Sequence, residues 1–137
     1  MSVYLLKYLN CRLIVNIAHS FNPDLRYYVD AQQLCENAAM NGFTTGRLFE
    51  PHTKYFNDKV YDEAIDVFGG KKSAWIGINA KGGPWVYTSS GTQLEFENWH
   101  PTQPNNDAHD CVYLFSQNGK WADYVCNSKL FFICEFV

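Results

Sequence analysis

The chain has 137 residues, a formal net charge of −3, 47% hydrophobic residues and 17% aromatic residues. This length and composition predict one compact domain over residues 1–137 and exclude a disordered chain. Acidic and basic residues are mixed along the sequence, without the basic cluster that is typical of nucleic-acid-binding proteins.

The first 20 residues are fairly apolar, but polar residues such as Lys7 and Arg12 interrupt them. No stretch reaches the roughly 20 apolar residues that a membrane helix needs. The segment also lacks the unbroken apolar block and cleavage site of a signal peptide, so we expect that any export leader has been removed from this chain. The alternation of Leu13, Val15 and Ile17 with Arg12, Ile14 and Asn16 predicts a strand.

Two segments have the spacing of amphipathic helices. The first covers residues 28–41, with Asp30 as a plausible cap near its start and Gly42 as the stop signal. Its predicted apolar face contains Ala31, Leu34, Cys35 and Ala38. The second covers residues 53–70 and ends at Gly69 and Gly70. Its predicted apolar face contains Phe56, Val60, Ala64 and either Val67 or Phe68.

After Gly70 the sequence changes from helical spacing to short apolar runs. The runs "SAWIGI", "PWVYT", "CVYLF" and "LFFICEF" predict short strands, with turns at Gly82–Gly83 and in "QNGK". Between them, residues 89–109 form a long polar stretch without periodicity. Loops of this length are uncommon unless they are functional, so this one is the first place to look for a site. The order of elements predicts an α+β domain.

Five cysteines are present, and none forms a C-x-x-C pair. Wide spacing in a small aromatic-rich chain favours disulfides, and therefore an extracellular, oxidising location. Because five is odd, one thiol must stay reduced or pair with another chain.

Several motifs in the second half occur in a recognisable order: "WIGI" from Trp75, "ENWHPTQPNN" from Glu97, "DCVYL" from Asp110, "GKWADYVC" from Gly119 and "FFICEF" from Phe131. Together with the earlier "LCENAAMNG", they resemble the C-type lectin-like domain over roughly residues 13–137. The resemblance implies an α+β fold of two helices and two small antiparallel sheets, with a long binding loop and stabilising disulfides.

The resemblance also implies two disulfides, Cys35–Cys134 and Cys111–Cys126. Closing a loop of about 100 residues contributes roughly 4–5 kcal/mol in the chain-entropy model. Cys11 is left over, because the chain lacks the N-terminal cysteine partner of the family's extended form. We expect Cys11 to bond to the same residue of a second chain, which gives a two-fold homodimer. A buried reduced thiol beneath the first strand is the alternative.

In sugar-binding members of this family, a cis proline between two oxygen-bearing side chains aims both of them at a Ca²⁺ ion that also binds sugar hydroxyls. The matching triplet here is Gln103-Pro104-Asn105. It combines the first residue of the galactose-type triplet Gln-Pro-Asp with the last residue of the mannose-type triplet Glu-Pro-Asn. The sugar class therefore does not follow from it.

The family's other calcium ligands match poorly. His109 stands where the family has a glutamate, and an Asn-Asp pair has become Ala122-Asp123. Because Ca²⁺ takes six to eight oxygens, Asp123 with two amides predicts a weakened or absent site, to which Asp107 could add a carboxylate. Asp110 could add another, although beside a cysteine it is more often a support for the backbone. The auxiliary calcium site is expected to be absent, because its acidic positions are Asn79, Ala80 and Lys81.

Sugar binding without calcium is the second possibility. Asp107 and His109 could bind sugar hydroxyls directly, since a carboxylate and a neutral imidazole together donate and accept. Tyr124 is the best candidate for an exposed ring that stacks on a sugar, whereas the four tryptophans are expected in the core. A zinc site of His100, Asp107 and His109 fits no known zinc spacing.

These residues predict a carbohydrate-binding lectin that recognises terminal sugars on glycoproteins or microbes. The alternative is a calcium-independent module that binds a protein partner. No nucleophile–base arrangement or phosphate loop is evident, so we expect no enzyme activity.

Overall fold

The computed structural model describes residues 10–38, 42–80, 83–105, 108–115 and 117–137. It contains two helices, α1 (Tyr28–Asn37) and α2 (Lys54–Phe68), within an α+β domain. The eight strands are β1 (Cys11–Ile14), β2 (Ile17–Arg26), β3 (Gly46–Leu48), β4 (Ala74–Asn79), β5 (Val86–Tyr87), β6 (Cys111–Leu114), β7 (Trp121–Tyr124) and β8 (Leu130–Phe136). Neither helix in these ranges is long and apolar enough to cross a membrane.

All eight strands belong to one sheet, in which the order β1-β2-β8-β4-β6-β7 is extended by β3 on β8 and by β5 on β4. The predicted α+β fold with two helices is present, and the two small sheets that the resemblance implied are joined into one. A short parallel pairing of β4 with β8, at Ala74↔Phe131 and Trp75↔Phe132, joins the two halves. Sequence periodicity identifies strands, but it does not report which of them become neighbours.

The N-terminal strand is a hairpin instead of one continuous strand. β1 and β2 pair around a turn at Val15 and Asn16, where Val15 has a φ of 56°. Leu13 is 49% exposed and Val15 is 62% exposed, while Ile14 is buried. Leu13 and Val15 therefore face solvent, and the alternation in the sequence does not mark a buried face.

Helix α2 confirms its prediction. The Thr53 side chain caps the start by accepting a hydrogen bond from the Phe56 backbone N–H at 3.2 Å. Gly69 ends the helix in the left-handed region, with a φ of 73°. Val60 and Ala64 are buried against the sheet.

Helix α1 is shorter than predicted. It ends at Asn37, Ala38 is extended, and Asp30 lies in the first turn without capping it. Ala31 and Cys35 are buried, but Leu34 is 45% exposed and Ala38 is also exposed. The buried face is narrow because the helix packs beside β3 and β8 through small residues, and its end is fixed by the Ala38 N–H bond to the Leu34 carbonyl. Residues 39–41 of the predicted helix, and Gly82 of a predicted turn, lie outside the described residues.

Both predicted disulfides are present. Cys35–Cys134 connects α1 to β8 across 99 residues, and Cys111–Cys126 connects the start of β6 to the segment after β7. The first is buried among residues of α1, β2 and β8, so it fixes the helix to the centre of the sheet. The second closes the hairpin that carries the end of the long loop.

Cys11 belongs to neither disulfide and is only 1% exposed. Burial raises the pKa of its thiol to about 11. A sulfur of a second chain cannot reach such an atom without unpacking β1. The structure therefore argues against the predicted interchain bond and favours the alternative, a buried reduced thiol.

The register of the hairpin can be tested at Cys11, which lies directly opposite Ser20. Directly opposed residues in antiparallel strands have Cα separations of about 4.5–5.5 Å, which a disulfide spans. We expect Ser20→Cys to form an intrachain bond with Cys11 on oxidation and to raise the free energy of unfolding by about 2–3 kcal/mol. Peptide mapping and urea unfolding measure the two effects.

The matched control is Ser90→Cys, which places a thiol on an exposed turn far along the chain. It should leave Cys11 reduced. Disulfide-linked dimers of the parent chain on a non-reducing gel, or a Ser20→Cys variant that links only between chains, would contradict the register and the burial of Cys11.

Candidate functional site

The long loop begins at residues that are bonded to buried groups. The Tyr87 hydroxyl donates to the Pro51 carbonyl at 2.9 Å, and the Ser89 backbone N–H donates to the Glu50 carboxylate at 2.7 Å. The Glu95 backbone N–H donates to the Tyr87 hydroxyl oxygen at 3.1 Å. Residues 87–95 are thus fixed to the segment that connects β3 to α2.

Glu50 is part of a buried charged cluster. Its backbone N–H donates to Glu135 Oε1 at 3.0 Å, and Arg47 Nε donates to the same oxygen at 2.8 Å. On the other side of Glu135, His19 Nε2 lies 3.4 Å from Oε2. Arg47, Glu135 and His19 are register partners on three adjacent strands. Arg47 Nη1 also lies 3.6 Å from Glu50 Oε1, so one arginine faces two buried carboxylates at the centre of the sheet.

Sequence reasoning missed Glu50, Glu135 and His19. A signal was available, because Glu135 interrupts the apolar run "LFFICEF" and Glu50 follows "RLF". Charged residues are almost never fully buried unless they are paired. An acid within an apolar strand therefore predicts a buried partner, although not which one.

The far end of the loop contains the predicted triplet. The Gln103–Pro104 peptide bond is cis, and Asn105 is exposed. The Gln103 backbone N–H donates to the His100 carbonyl at 2.9 Å, and the His100 N–H donates to the Trp121 carbonyl at 2.8 Å. The triplet is thereby attached to β7.

Asp123 is the centre of this arrangement. Its side chain is fully shielded from solvent, and its Oδ1 accepts the Asn105 backbone N–H at 3.0 Å. Its own backbone N–H donates to Gln103 Oε1 at 3.3 Å. His109 Nδ1 lies 3.7 Å from Asp123 Oδ2. The structure therefore brings together Gln103, Asn105, His109 and Asp123, four of the predicted site residues.

The position of Asp123 is set by β7 and α2. Trp121, two residues earlier on the strand, is completely buried and donates through Nε1 to Asn57 Oδ1 of α2 at 2.8 Å. Asn57 in turn donates to the Gly119 carbonyl at 2.9 Å. Because side chains alternate along a strand, Trp121 and Asp123 share the inner face.

Tyr124 lies on the opposite face of β7 and is 39% exposed. Its ring centroid is 6.1 Å from that of His109 and 5.5 Å from that of Tyr113. One edge of this predicted platform is therefore packed, and His109 lies between the ring and Asp123.

The remaining candidates are dispersed. Asp107 lies outside the described residues. The Asp110 backbone carbonyl accepts the Ala80 N–H at 2.9 Å, a contact that does not involve the Asp110 side chain. The His100 ring packs on Phe115 with centroids 4.9 Å apart, and its Nδ1 is 3.0 Å from the Pro101 carbonyl. Within the described part of the chain, no group of three His, Cys, Asp or Glu side chains could hold a metal ion.

The described donors do not fit an ordinary calcium site. One Asp123 oxygen is occupied by a backbone N–H and the other faces an imidazole, while Gln103 Oε1 already accepts a hydrogen bond. A single carboxylate with two amides falls well short of the six to eight oxygens that Ca²⁺ takes.

Comparison with known proteins agrees with this architecture. The family "Lectin C-type domain" matches residues 25–136, so the chain belongs to the C-type lectin domain family. The family is one of lectin domains and not of enzymes.

Individual relatives are longer than this chain. Bovine (Bos taurus) pulmonary surfactant-associated protein D is 34% identical over 113 residues, which cover 80% of the chain and 28% of that protein. Mouse (Mus musculus) tetranectin is 34% identical over 98 residues, which cover 66% of the chain and 48% of that protein. The chain thus spans less than half the length of these relatives.

Solved structures share the fold. The C-type lectin CEL-I from Cucumaria echinata superposes with a TM-score of 0.82 at 17% identity, covering 93% of this chain and 95% of that one. Human lithostathine superposes with a TM-score of 0.79 at 28% identity, covering 93% and 88%.

The buried Glu50 makes stability depend on pH. Burial is the largest effect on its pKa and raises it; the Ser89 and Arg47 contacts lower it, and Glu135 raises it further. The pKa of Glu50 is therefore higher in the folded chain than in the unfolded chain, so proton binding stabilises the folded state. This contribution to the free energy of unfolding is complete below the unfolded-state pKa and is lost as the pH rises through the folded-state pKa. Glu50→Gln keeps an acceptor for the Ser89 N–H and cannot ionise.

We therefore expect the free energy of unfolding of Glu50→Gln to decline less steeply than that of the parent as pH rises above about 4, the ordinary glutamate range. Urea unfolding at a series of pH values measures both curves. The free energy of unfolding of Glu36→Gln, a substitution on the exposed side of α1, should depend on pH as that of the parent does. Parallel curves for Glu50→Gln as well would contradict the assigned role of Glu50.

Proposed function

We propose that this domain binds terminal sugars through the long-loop site formed by Gln103, Asn105, His109 and Asp123. The observation that carries the proposal is the buried Asp123 carboxylate. It accepts the Asn105 N–H, and the same residue's N–H donates to Gln103. Both residues beside Pro104 are therefore held in fixed positions, as a binding site requires.

The chemistry suits a sugar. The exposed Asn105 amide can donate to one hydroxyl and accept from another. His109, beside Asp123, offers a further polar contact, and the partly exposed Tyr124 offers a ring face for the apolar side of a pyranose. Asp107 belongs to the same loop in sequence and is proposed as an additional hydroxyl ligand.

Calcium contributes little in this proposal. The oxygens of Asp123 and Gln103 are engaged within the protein, and His109 stands where a second carboxylate would be needed. If an ion binds, Gln103, Asn105, Asp123 and Asp107 would hold it, and its role would be to polarise sugar hydroxyls.

A protein-binding function is the second candidate, and one observation favours it. The outer face of the β6–β7 hairpin has partly exposed rings from Tyr113, Phe115 and Tyr124, with His100 against Phe115. Aromatic side chains are enriched at protein interfaces. This face has no need of calcium.

The chemistry also supports a location and a form of assembly. Two disulfides favour an oxidising, extracellular environment. Because Cys11 is buried, we expect the homodimer to be non-covalent. Two sites on one assembly would compensate for weak binding at each of them.

Substitutions at the triplet test the site directly. Gln103→Ala should weaken sugar capture at least about tenfold, equivalent to roughly 1.4 kcal/mol, while changing stability little, because its side chain is partly exposed. Asp123→Ala should abolish capture and also cost about 1–3 kcal/mol of stability, because the part-buried Asn105 N–H loses its acceptor. A glycan array and thermal unfolding measure the two properties.

Gln33→Ala, an exposed glutamine-to-alanine change on α1, is the matched control and should bind as the parent does. Undiminished sugar capture by both Gln103→Ala and Asp123→Ala would move the site elsewhere. The absence of sugar capture by the parent would favour the protein-binding function.

Chelation tests the role of calcium. We expect excess EDTA to weaken sugar binding by less than about tenfold, since the described donors are too few for a strong site. The variant His109→Glu, Ala122→Asn restores two oxygen ligands at the positions that the family uses. It should gain a calcium-dependent rise in melting temperature that the parent lacks. Complete loss of parent binding in EDTA would contradict the proposal.

A further inference from the structure

An open cleft of about 390 Å³ lies along the first half of the long loop, away from the Gln103 triplet in sequence. Its volume falls within the range of about 300–1,000 Å³ that is typical of small-molecule sites. The lining residues are Pro84, Trp85, Gln93, Leu94 and Glu97.

One wall of the cleft is formed by the Trp85 side chain. Trp85 is partly buried and packs against Trp99 with ring centroids 5.0 Å apart. Trp99 in turn packs edge-on against the buried Trp121, with centroids 5.5 Å apart. A row of three tryptophans therefore connects the cleft to β7, the strand that carries Asp123.

Two polar side chains stand on the exposed rim of this wall. Trp99 Nε1 donates to Glu97 Oε1 at 3.4 Å, which orients the carboxylate. Gln93 is exposed, and its backbone is fixed by a bridge to Val86. The carboxylate accepts hydrogen bonds, and the amide both accepts and donates.

This combination selects a particular class of ligand. A pyranose has an apolar face of C–H groups, which packs on an indole ring, and a rim of hydroxyls, which donate to a carboxylate and bond to an amide. The negative charge of Glu97 disfavours phosphorylated and other anionic ligands. The openness of the cleft leaves an acyl chain largely in water.

We propose that the cleft formed by Trp85, Gln93 and Glu97 is a second carbohydrate subsite, which binds another ring of the glycan whose terminal sugar occupies the Gln103 site. The inference rests on the proposed function. Joining two weak contacts in one ligand raises the effective concentration at the second, so an oligosaccharide gains affinity over its terminal monosaccharide.

The test compares a methyl monosaccharide with a trisaccharide that ends in the same sugar, as mannose-terminated and galactose-terminated pairs, by titration calorimetry. The parent should bind the trisaccharide of one pair at least about tenfold more tightly than the monosaccharide. Glu97→Ala should reduce trisaccharide affinity to near the monosaccharide level and leave monosaccharide affinity within about twofold of the parent. Trp85→Leu should do the same and should reduce the change in tryptophan fluorescence on trisaccharide binding.

Glu95→Ala is the matched control: it removes an equal charge from the same loop, but its carboxylate faces His52 at 3.0 Å and not the cleft. It should bind both sugars as the parent does. Equal affinities of the parent for the two sugars, or an undiminished trisaccharide preference in Glu97→Ala, would overturn the subsite. If Gln103→Ala still weakens the binding of both sugars, the proposed function stands and only the subsite is overturned. No binding of any sugar by the parent would overturn the proposed function and the subsite together.

Discussion

The pairing of β8 with three other strands is the interaction on which the remaining structure depends. β8 bonds to β2 along most of its length, to β3 through its last three residues, and to β4 at Ala74 and Trp75. Two of its consecutive residues then point to opposite sides: Cys134 is bonded to α1, and Glu135 enters the buried charged cluster. The last strand of the chain thus organises both helix packing and the base of the loop.

The long loop is held at both ends by the same interaction, in which a buried carboxylate accepts a backbone N–H. At its base the buried Glu50 carboxylate accepts the Ser89 N–H, and near its far end the buried Asp123 carboxylate accepts the Asn105 N–H. A segment with little regular secondary structure must satisfy its backbone groups in other ways. Two buried carboxylates accept part of the hydrogen bonds that these backbone groups donate, and each carboxylate is itself fixed by the sheet.

This arrangement gives a physical reason for the proposed independence from calcium. Gln103 Oε1 and one Asp123 oxygen accept backbone hydrogen bonds within the protein, and the His109 ring faces the remaining Asp123 oxygen. A loop organised in this way can present its amides without a metal. The row of tryptophans behind it extends the same rigid support to the cleft at Trp85.

Local features were determined by the sequence itself: the cap at Thr53 and the stop at Gly69 place α2, because capping depends on neighbouring residues. The motif order indicated the disulfides and brought attention to Gln103 and Asp123. The single sheet, the phase of the β1–β2 hairpin, the burial of Cys11 and the cleft were decided by tertiary structure. Each of these depends on which strands pair and which loops pack across long sequence separations, and hydrophobic periodicity reports only which face of an element is apolar.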